Sequence, residues 1–268
     1  MNDVLYRDKK WLKDQYSTKS ITQIARESSH SRITITSWLC KLGIPTRSIG
    51  ENHHICRNKN HFTMDNYLYD FIIGELLGDG CIYKISEFSA VYTHVSKYRE
   101  YVEWLVSIFG NYGIEIMGDK IYRKDGIFVS SNKPYVSYSI TTRSYRKFLE
   151  IYKYMYNDIC KYIPPTVEFS PLVVRQWYIG DGSLTKQIGG RNRFVTIATN
   201  GFSKTDINIL IDKFKEIGLK VTRVKAGFNS KGVECFIINI STHDTQKFFD
   251  YIGPCPIEIK DVYGYKWP

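Results

Sequence analysis

The chain has 268 residues, with 37 lysines and arginines against 27 aspartates and glutamates, a formal net charge of +10. No apolar run is long enough to span a bilayer and no basic-then-apolar leader opens the chain, so a soluble intracellular protein with a polyanionic partner is expected. The six cysteines lie far apart without a Cys-x-x-Cys pair, which argues against a disulfide scaffold or a four-cysteine zinc site, and the length allows two or three domains with real cores.

In chain order, residues 1–48 are expected to form a small all-α unit. Tyr6 to Tyr16 carries apolar residues at helical spacing, Ser20 is placed to cap a helix through Glu27, and a further helix runs from Ser31 to Leu42 before Gly43 and Pro45. Ile21, Ile24 and Ala25 form one apolar face; Ile33 or Ile35, with Trp38, Leu39 and Leu42, forms a second. The pattern resembles a helix-turn-helix, whose second helix would present Arg32, Thr34, Thr36 and Ser37 to a major groove, with Arg47 in the basic tail that follows. A generic small helical bundle is the plainer alternative. Residues 49–66 are polar and basic and read as a linker. The cluster of His53, His54, Cys56 and His61 within it lacks the second ligand pair that a zinc finger needs.

From Tyr67 onward the pattern changes and repeats. An apolar helix ending in Gly78-Asp79-Gly80 is followed by strands at 81–83 and 89–93, then a helix at 97–109 stopping at Gly110. Strands are expected near 114–117, 120–123 and 136–141, and a helix near 144–155. A second apolar helix ends in Gly180-Asp181-Gly182. It is followed by strands at 183–184 and 194–199, a helix at 204–217, strands at 221–225 and 235–240, and a helix at 245–251. Each unit, 67–165 and 166–268, therefore approximates αββαββα, and Asp181 follows Asp79 by 102 residues, a domain-sized repeat. Two such units form a pseudo-twofold pair, suited to a nearly symmetric ligand such as duplex DNA.

A carboxylate at a helix C-terminus faces the negative end of the dipole and costs stability unless a cation offsets it. A common Asp-Gly turn would explain one such ending; two at equivalent places in a basic chain call for more. Two neighbouring carboxylates resist joint ionisation, and divalent cations relieve that penalty.

These residues resemble the LAGLIDADG homing endonucleases in their single-chain, two-motif form. The likeness covers roughly 67–268 and includes Trp177-Tyr178-Ile179 before the second Gly-Asp-Gly and Thr199-Asn200-Gly201-Phe202-Ser203 before a helix. The resemblance implies an α+β fold of two pseudo-symmetric units with saddle-shaped antiparallel sheets, and motif helices that pack together so that Asp79 and Asp181 meet. It implies that these carboxylates and the Gly78 and Gly180 carbonyls hold two or more divalent ions, taken as Mg2+ because the ligands are hard oxygens. It also implies a basic residue after the last helix of each unit. Lys161 lies 82 residues beyond Asp79 and Lys266 lies 85 beyond Asp181, with Lys260 the competitor for Lys266. His94 and Asn200, after equivalent strands, are expected to order active-site water. Gly74 and Gly78 let one helix approach closely; Gln176 stands where the first copy has Gly74, so the contact there should be wider or hydrogen-bonded.

The expected activity is site-specific, Mg2+-dependent cleavage of both strands of a long, pseudo-palindromic DNA target by a cytoplasmic, nucleoid-associated monomer. Strand residues expected to touch base edges or phosphates are Tyr83, Lys84, Tyr92, Arg123, Lys124, Lys186, Arg191, Arg193, Arg223 and Lys225. The alternatives are a non-cleaving binder on the same fold, either an intron maturase or a transcriptional regulator, and a helix-turn-helix regulator with an unrelated ligand domain.

Overall fold

The structure is a computed structural model that describes residues 5–48, 51–52, 61–127, 132–157, 160–186, 193–228 and 232–268. The His53, His54, Cys56 cluster, Arg191 and the Lys186 side chain lie outside the described residues.

Three short helices open the chain: α1 (Lys9–Thr18), α2 (Ile21–Glu27) and α3 (Arg32–Lys41). Each begins with a side-chain cap. Asp8 accepts from Trp11 N, Ser20 from Gln23 N and Ser31 from Thr34 N, satisfying amides that the first helical turn leaves without partners. Their core is Tyr6, Leu12, Tyr16, Ile24, Ala25, Ile35, Leu39 and Ile44. Of the two isoleucines expected to serve the α3 core, Ile35 is buried and Ile33 is 82% exposed.

The remainder forms two units of the same order. The first contains α4 (Asn66–Leu77), β1 (Cys81–Ser86), β2 (Ser89–Ser96), α5 (Arg99–Asn111), β3 (Tyr122–Ile127), β4 (Pro134–Thr141) and α6 (Arg146–Met155). A two-stranded hairpin of β5 (Tyr156–Asn157) and β6 (Cys160–Lys161) follows. The second contains α7 (Pro171–Asp181), β7 (Gly182–Lys186), β8 (Arg193–Ala198), α8 (Lys204–Glu216), β9 (Val221–Phe228), β10 (Glu234–Ile240) and α9 (Thr245–Ile252), with α10 (Lys260–Tyr263) near the end. The αββαββα order thus appears twice. Each unit has a four-stranded antiparallel sheet, ordered β1-β2-β4-β3 in the first and β7-β8-β10-β9 in the second.

Two expectations fail around Gly110. Helix α5 continues to Asn111, and the chain turns at Gly113, whose φ of 70° suits glycine. No strand forms at 114–117. Ile116 makes one isolated bridge with Thr142, and a 3-10 turn at Met117–Asp119 follows. Ile114 and Ile116 are buried anchors of a connection, and their β-branched character alone misleads.

Helices α4 and α7 are buried on nearly every side. Leu68, Phe71, Ile72, Ile73, Leu76 and Leu77 on α4, and Val173, Val174, Trp177, Tyr178 and Ile179 on α7, are all 0–1% exposed. A helix apolar all round belongs inside a core, and both helices share one continuous core with the two sheets.

Candidate active site

The two central helices meet most closely at their glycines. A methyl group added to Gly78 would lie 3.6 Å from Gly180 Cα, and one on Gly180 would lie 3.4 Å from Asp79 N and 3.6 Å from Asp79 Oδ2. Asp79 therefore sits beside the last turn of the opposite helix. One turn earlier, a methyl on Gly74 would lie only 2.6 Å from both Gln176 Cβ and Val173 O. The glutamine stem occupies the space that Gly74 leaves free, so this contact is not the wide one. It is hydrogen-bonded: Gln176 Nε2 donates to Glu75 Oε1 at 3.3 Å.

The glycine after each aspartate is not there for a left-handed backbone. Gly80 and Gly182 have no positive φ. They are required by proximity: a Cβ would fall 2.8 Å from Glu75 O at Gly80 and 1.9 Å from Tyr178 Cδ2 at Gly182. Asp181 is itself the last residue of α7, while α4 stops at Leu77 and the Gly78 and Gly80 amides both donate to Glu75 O.

Each expected lysine reaches its own motif. Lys161 Nζ donates to Gly78 O at 3.3 Å and Gly80 O at 3.0 Å. Lys266 Nζ donates to Ile179 O at 2.6 Å and Gly180 O at 3.2 Å. Lys260, the competitor, is exposed. These contacts neutralise the negative helix ends noted in the sequence. Each lysine lies on a tail fastened to the other unit. Ile163 N donates to Asp206 Oδ1 of α8 at 2.8 Å, and Tyr263 packs edge-on against Tyr98 and Tyr101 of the first unit. Tyr178 OH donates to Lys266 O at 2.5 Å and fixes the second lysine further.

The electrostatics are those of a crowded anionic pair. Burial pushes the Asp181 carboxyl up to about 7; the charge of Asp79 adds to this, and Trp177, Lys161 and Lys266 oppose it. The Trp177 ring N–H contributes without a hydrogen bond of normal geometry. Burial lowers the Lys266 ammonium to about 8 against the pull of Asp181 and Asp79, and it lowers Lys161 as well. A cavity of about 310 Å³ beside this cluster is lined by Gly78, Lys161, Asp181 and Thr199–Phe202. The donors are carboxylate and carbonyl oxygens, and no group of three or more His, Cys, Asp or Glu capable of holding a metal occurs among the described residues. This set suits a hard divalent ion that keeps much of its water, rather than a protein cage.

His94 and Asn200 are not counterparts. Cys81 pairs with Thr93 and Ser183 with Thr196, so His94 corresponds to Ile197 and Lys97 to Asn200. Asn200 lines the cavity. His94 is 3% exposed, and its Nδ1 lies 3.0 Å from Glu75 Oε2. The buried Glu75 carboxylate also accepts from Tyr92 OH at 2.7 Å and from Tyr101 OH. The expected water-ordering role of His94 is thus replaced by a buried polar knot one turn before Asp79. Lys97, which the sequence did not single out, is close enough to Lys266 to lower its ammonium pKa further.

Strand register sorts the expected DNA contacts. Residues directly opposed across a ladder share a face, and faces alternate along a strand. In the first sheet, Tyr83, Thr93, Val95, Tyr122, Lys124, Ser137, Ser139 and Thr141 share the face opposite to that of the buried Ile82, Tyr92 and Ile140. The second sheet likewise presents Ser183, Thr185, Thr196, Asn239 and Thr222. None of these residues is acidic. Tyr83 and Lys124 lie on this open face as expected. Tyr92 does not: it is fully buried against Glu75, and its hydroxyl is pushed well above its usual pKa by burial and by that carboxylate. Arg123, Arg193, Arg223 and Lys225 fall on the helix-bearing side. Arg123 pairs with Asp125, Arg223 with Asn208 over the Phe236 ring, and Lys225 with Glu234. Lys84 is exposed and bound to Glu87.

In the N-terminal unit, Arg32, Thr36 and Ser37 are exposed on α3. Thr34 Oγ1 instead bonds the capping Ser31 Oγ at 2.9 Å. Arg47 is a clasp: its guanidinium lies 3.8 Å over the Tyr16 ring, Nη2 donates to Lys19 O at 3.2 Å, and its amide donates to Tyr16 OH at 3.1 Å.

Residues 69–248 match the model of the LAGLIDADG DNA endonuclease family. The chain belongs to this family. An uncharacterized protein of Methanocaldococcus jannaschii is 30% identical over 159 residues, covering 58% of this chain and 59% of that protein, so the chain spans less than two thirds of the relative's length. The homing endonuclease I-WcaI, in a structure bound to its DNA recognition sequence, shares the fold with a TM-score of 0.66. That match has 20% identity and covers 84% of this chain and 94% of that one. I-DmoI in complex with DNA and Mn matches with a TM-score of 0.43 at 14% identity, over 69% of this chain and 96% of that one. Among the described residues no helix is long and apolar enough to cross a membrane.

Proposed function

We propose that this member of a DNA endonuclease family is a site-specific, metal-dependent homing endonuclease that cuts both strands of duplex DNA as a monomer. The observation that carries this reading is the junction of the two central helices. Two carboxylates, Asp79 and Asp181, lie at adjoining glycine-lined helix ends, each with its own lysine donating to the neighbouring carbonyls. A decayed binder has no use for two carboxylates held so close together.

Asp79, Asp181 and the carbonyls of Gly78 and Gly180 would hold divalent ions, with Mg2+ favoured by the all-oxygen donors and the phosphate substrate. When bound, Mg2+ supplies positive charge to the scissile phosphate and to the departing 3′ oxygen. Lys161 and Lys266 fix the metal-facing carbonyls and place positive charge beside each strand. Lys266, with its ammonium near pKa 8, can exchange a proton with solvent near neutral pH. Asn200 on one side and Lys97 on the other would orient water or phosphate. The acid-free open faces of the sheets would lie along the DNA, with their hydroxyls and Tyr83 and Lys124 making the contacts. The N-terminal helices would add a helix-turn-helix contact beyond the cleavage site.

The test is cleavage of a duplex library by the purified chain with Mg2+. Both strands should be cut at one long, pseudo-palindromic site. Asp79→Asn and Asp181→Asn should abolish cutting and keep binding. Tight binding without cleavage by the unsubstituted chain would replace this reading with that of a maturase or regulator.

A further inference from the structure

The outward face of α3 has an unusual chemistry for a DNA-binding surface. Ile33, the second residue of the helix, is 82% exposed, the most exposed of the large apolar residues described. At helical spacing it shares a face with Thr36, Ser37 and Cys40, all exposed, while Ile35 and Leu39 fill the core behind. Thr36 is exposed and uses its hydroxyl internally, donating to Arg32 O at 2.9 Å, which leaves its methyl group to make any apolar contact. Thr34 and Ser31 bond each other in the cap. The face therefore offers an isoleucine, a threonine methyl and a thiol. Arg32 at the first turn and Lys41 at the last are cations, and α3 contains no carboxylate.

We propose that α3 is a thymine reader, with Ile33 and the Thr36 methyl packing on the 5-methyl groups of a thymine-containing step in the major groove. The proposal rests on the helix-turn-helix reading above and goes beyond it by naming the base and the atoms recognised. The first residues of a recognition helix are those that reach base edges. The thymine methyl is the one apolar feature in the major-groove pattern, and apolar side chains are what it accepts. The occupant is duplex DNA because Arg32 and Lys41 flank the apolar patch with charge that complements phosphate. Nine lysines and arginines against three acids between residues 5 and 48 make the unit basic throughout.

The experiment uses the full chain carrying Asp79→Asn and Asp181→Asn, so that bound duplexes stay intact. Duplexes selected from a random library should contain the long nuclease site and, beside it, a short flanking box that includes thymine. The dissociation constant is then measured on that duplex and on one with each box thymine replaced by deoxyuridine, which lacks only the methyl group. Each methyl removed should weaken binding about fourfold, the worth of one buried methyl-sized group. Ile33→Ala, at an exposed position that leaves the core intact, should abolish most of the difference between the two duplexes. A flanking box that binds equally with thymine or deoxyuridine would overturn the proposal and leave the helix-turn-helix reading standing. Selected sites with no flanking preference would overturn both. A deoxyuridine penalty undiminished in Ile33→Ala would remove Ile33 from the recognition.

Discussion

The two glycines of the first motif helix are interchangeable in sequence, yet the structure gives them different tolerances. Gly74→Ala would place a methyl 2.6 Å from Val173 O and 2.6 Å from Gln176 Cβ. Both neighbours are fixed by the α7 backbone, so no side-chain rotation relieves the overlap. Overpacking of this kind costs ~3 kcal/mol at the upper end of its usual range. Replacing glycine by alanine within a helix returns up to ~1 kcal/mol, leaving a net loss of ~2 kcal/mol. Gly78→Ala would meet Gly180 Cα at 3.6 Å, an ordinary contact. Its net change should stay within ~0.5 kcal/mol. Urea unfolding of both variants checks this: Gly74→Ala should lower the midpoint at unchanged slope and Gly78→Ala should not. Equal midpoints for the two variants, or a larger loss at Gly78, would refute the assigned helix contact.

Other outcomes are open to measurement. Asp181 has a folded-state pKa near 7 against an ordinary 3.8, so the metal-free folded protein binds the extra proton and loses stability as pH rises from about 4 to 7. Asp181→Asn removes this dependence, and the metal-free variant should gain on the original by a few kcal/mol, as an order of magnitude, between those limits in denaturant titrations. Glu75→Leu leaves Tyr92, Tyr101 and His94 without their shared buried acceptor and should cost ~3–5 kcal/mol. Glu75→Gln, which keeps an acceptor, should cost well under half of that. Arg47→Ala should destabilise the N-terminal helices by ~1 kcal/mol, seen as faster amide exchange in α1, through lost stacking on Tyr16.

Most of the element order and both carboxylates could be located in the sequence because they depend on spacing along the chain, and the family resemblance led from them to the two lysines. Apolar helical runs, strand alternation and the Asp-to-Lys separations of 82 and 85 are one-dimensional signals. Face and register are not. Arg123 and Lys124 are equivalent in the sequence, but pairing with Tyr138 and Ser137 sends them to opposite sides of the sheet. Tyr92 looked like a surface aromatic because its buried partner, Glu75, is 17 residues away on another element. His94 and Asn200 seemed equivalent because each follows or ends a strand; the ladder shifts the correspondence by three residues, to Lys97. Ile33 and Ile35 both fit a helical apolar stripe, and only the geometry of the α2–α3 crossing decides which is buried.

The Gly74–Gln176 contact also determines which halves can associate. Position 74 of one unit meets its equivalent, 176, in the other. Two copies of the first unit would bring glycine against glycine, leaving a gap at the junction and two Glu75 carboxylates without the Gln176 amide. Two copies of the second would drive glutamine into glutamine. Each half is therefore a poor partner for itself and a good one for the other. Severed between residues 165 and 166, the halves should reassociate as a mixed pair in preference to either homodimer. The junction thus acts as a key that protects a duplicated chain from assembling with the wrong copy of itself.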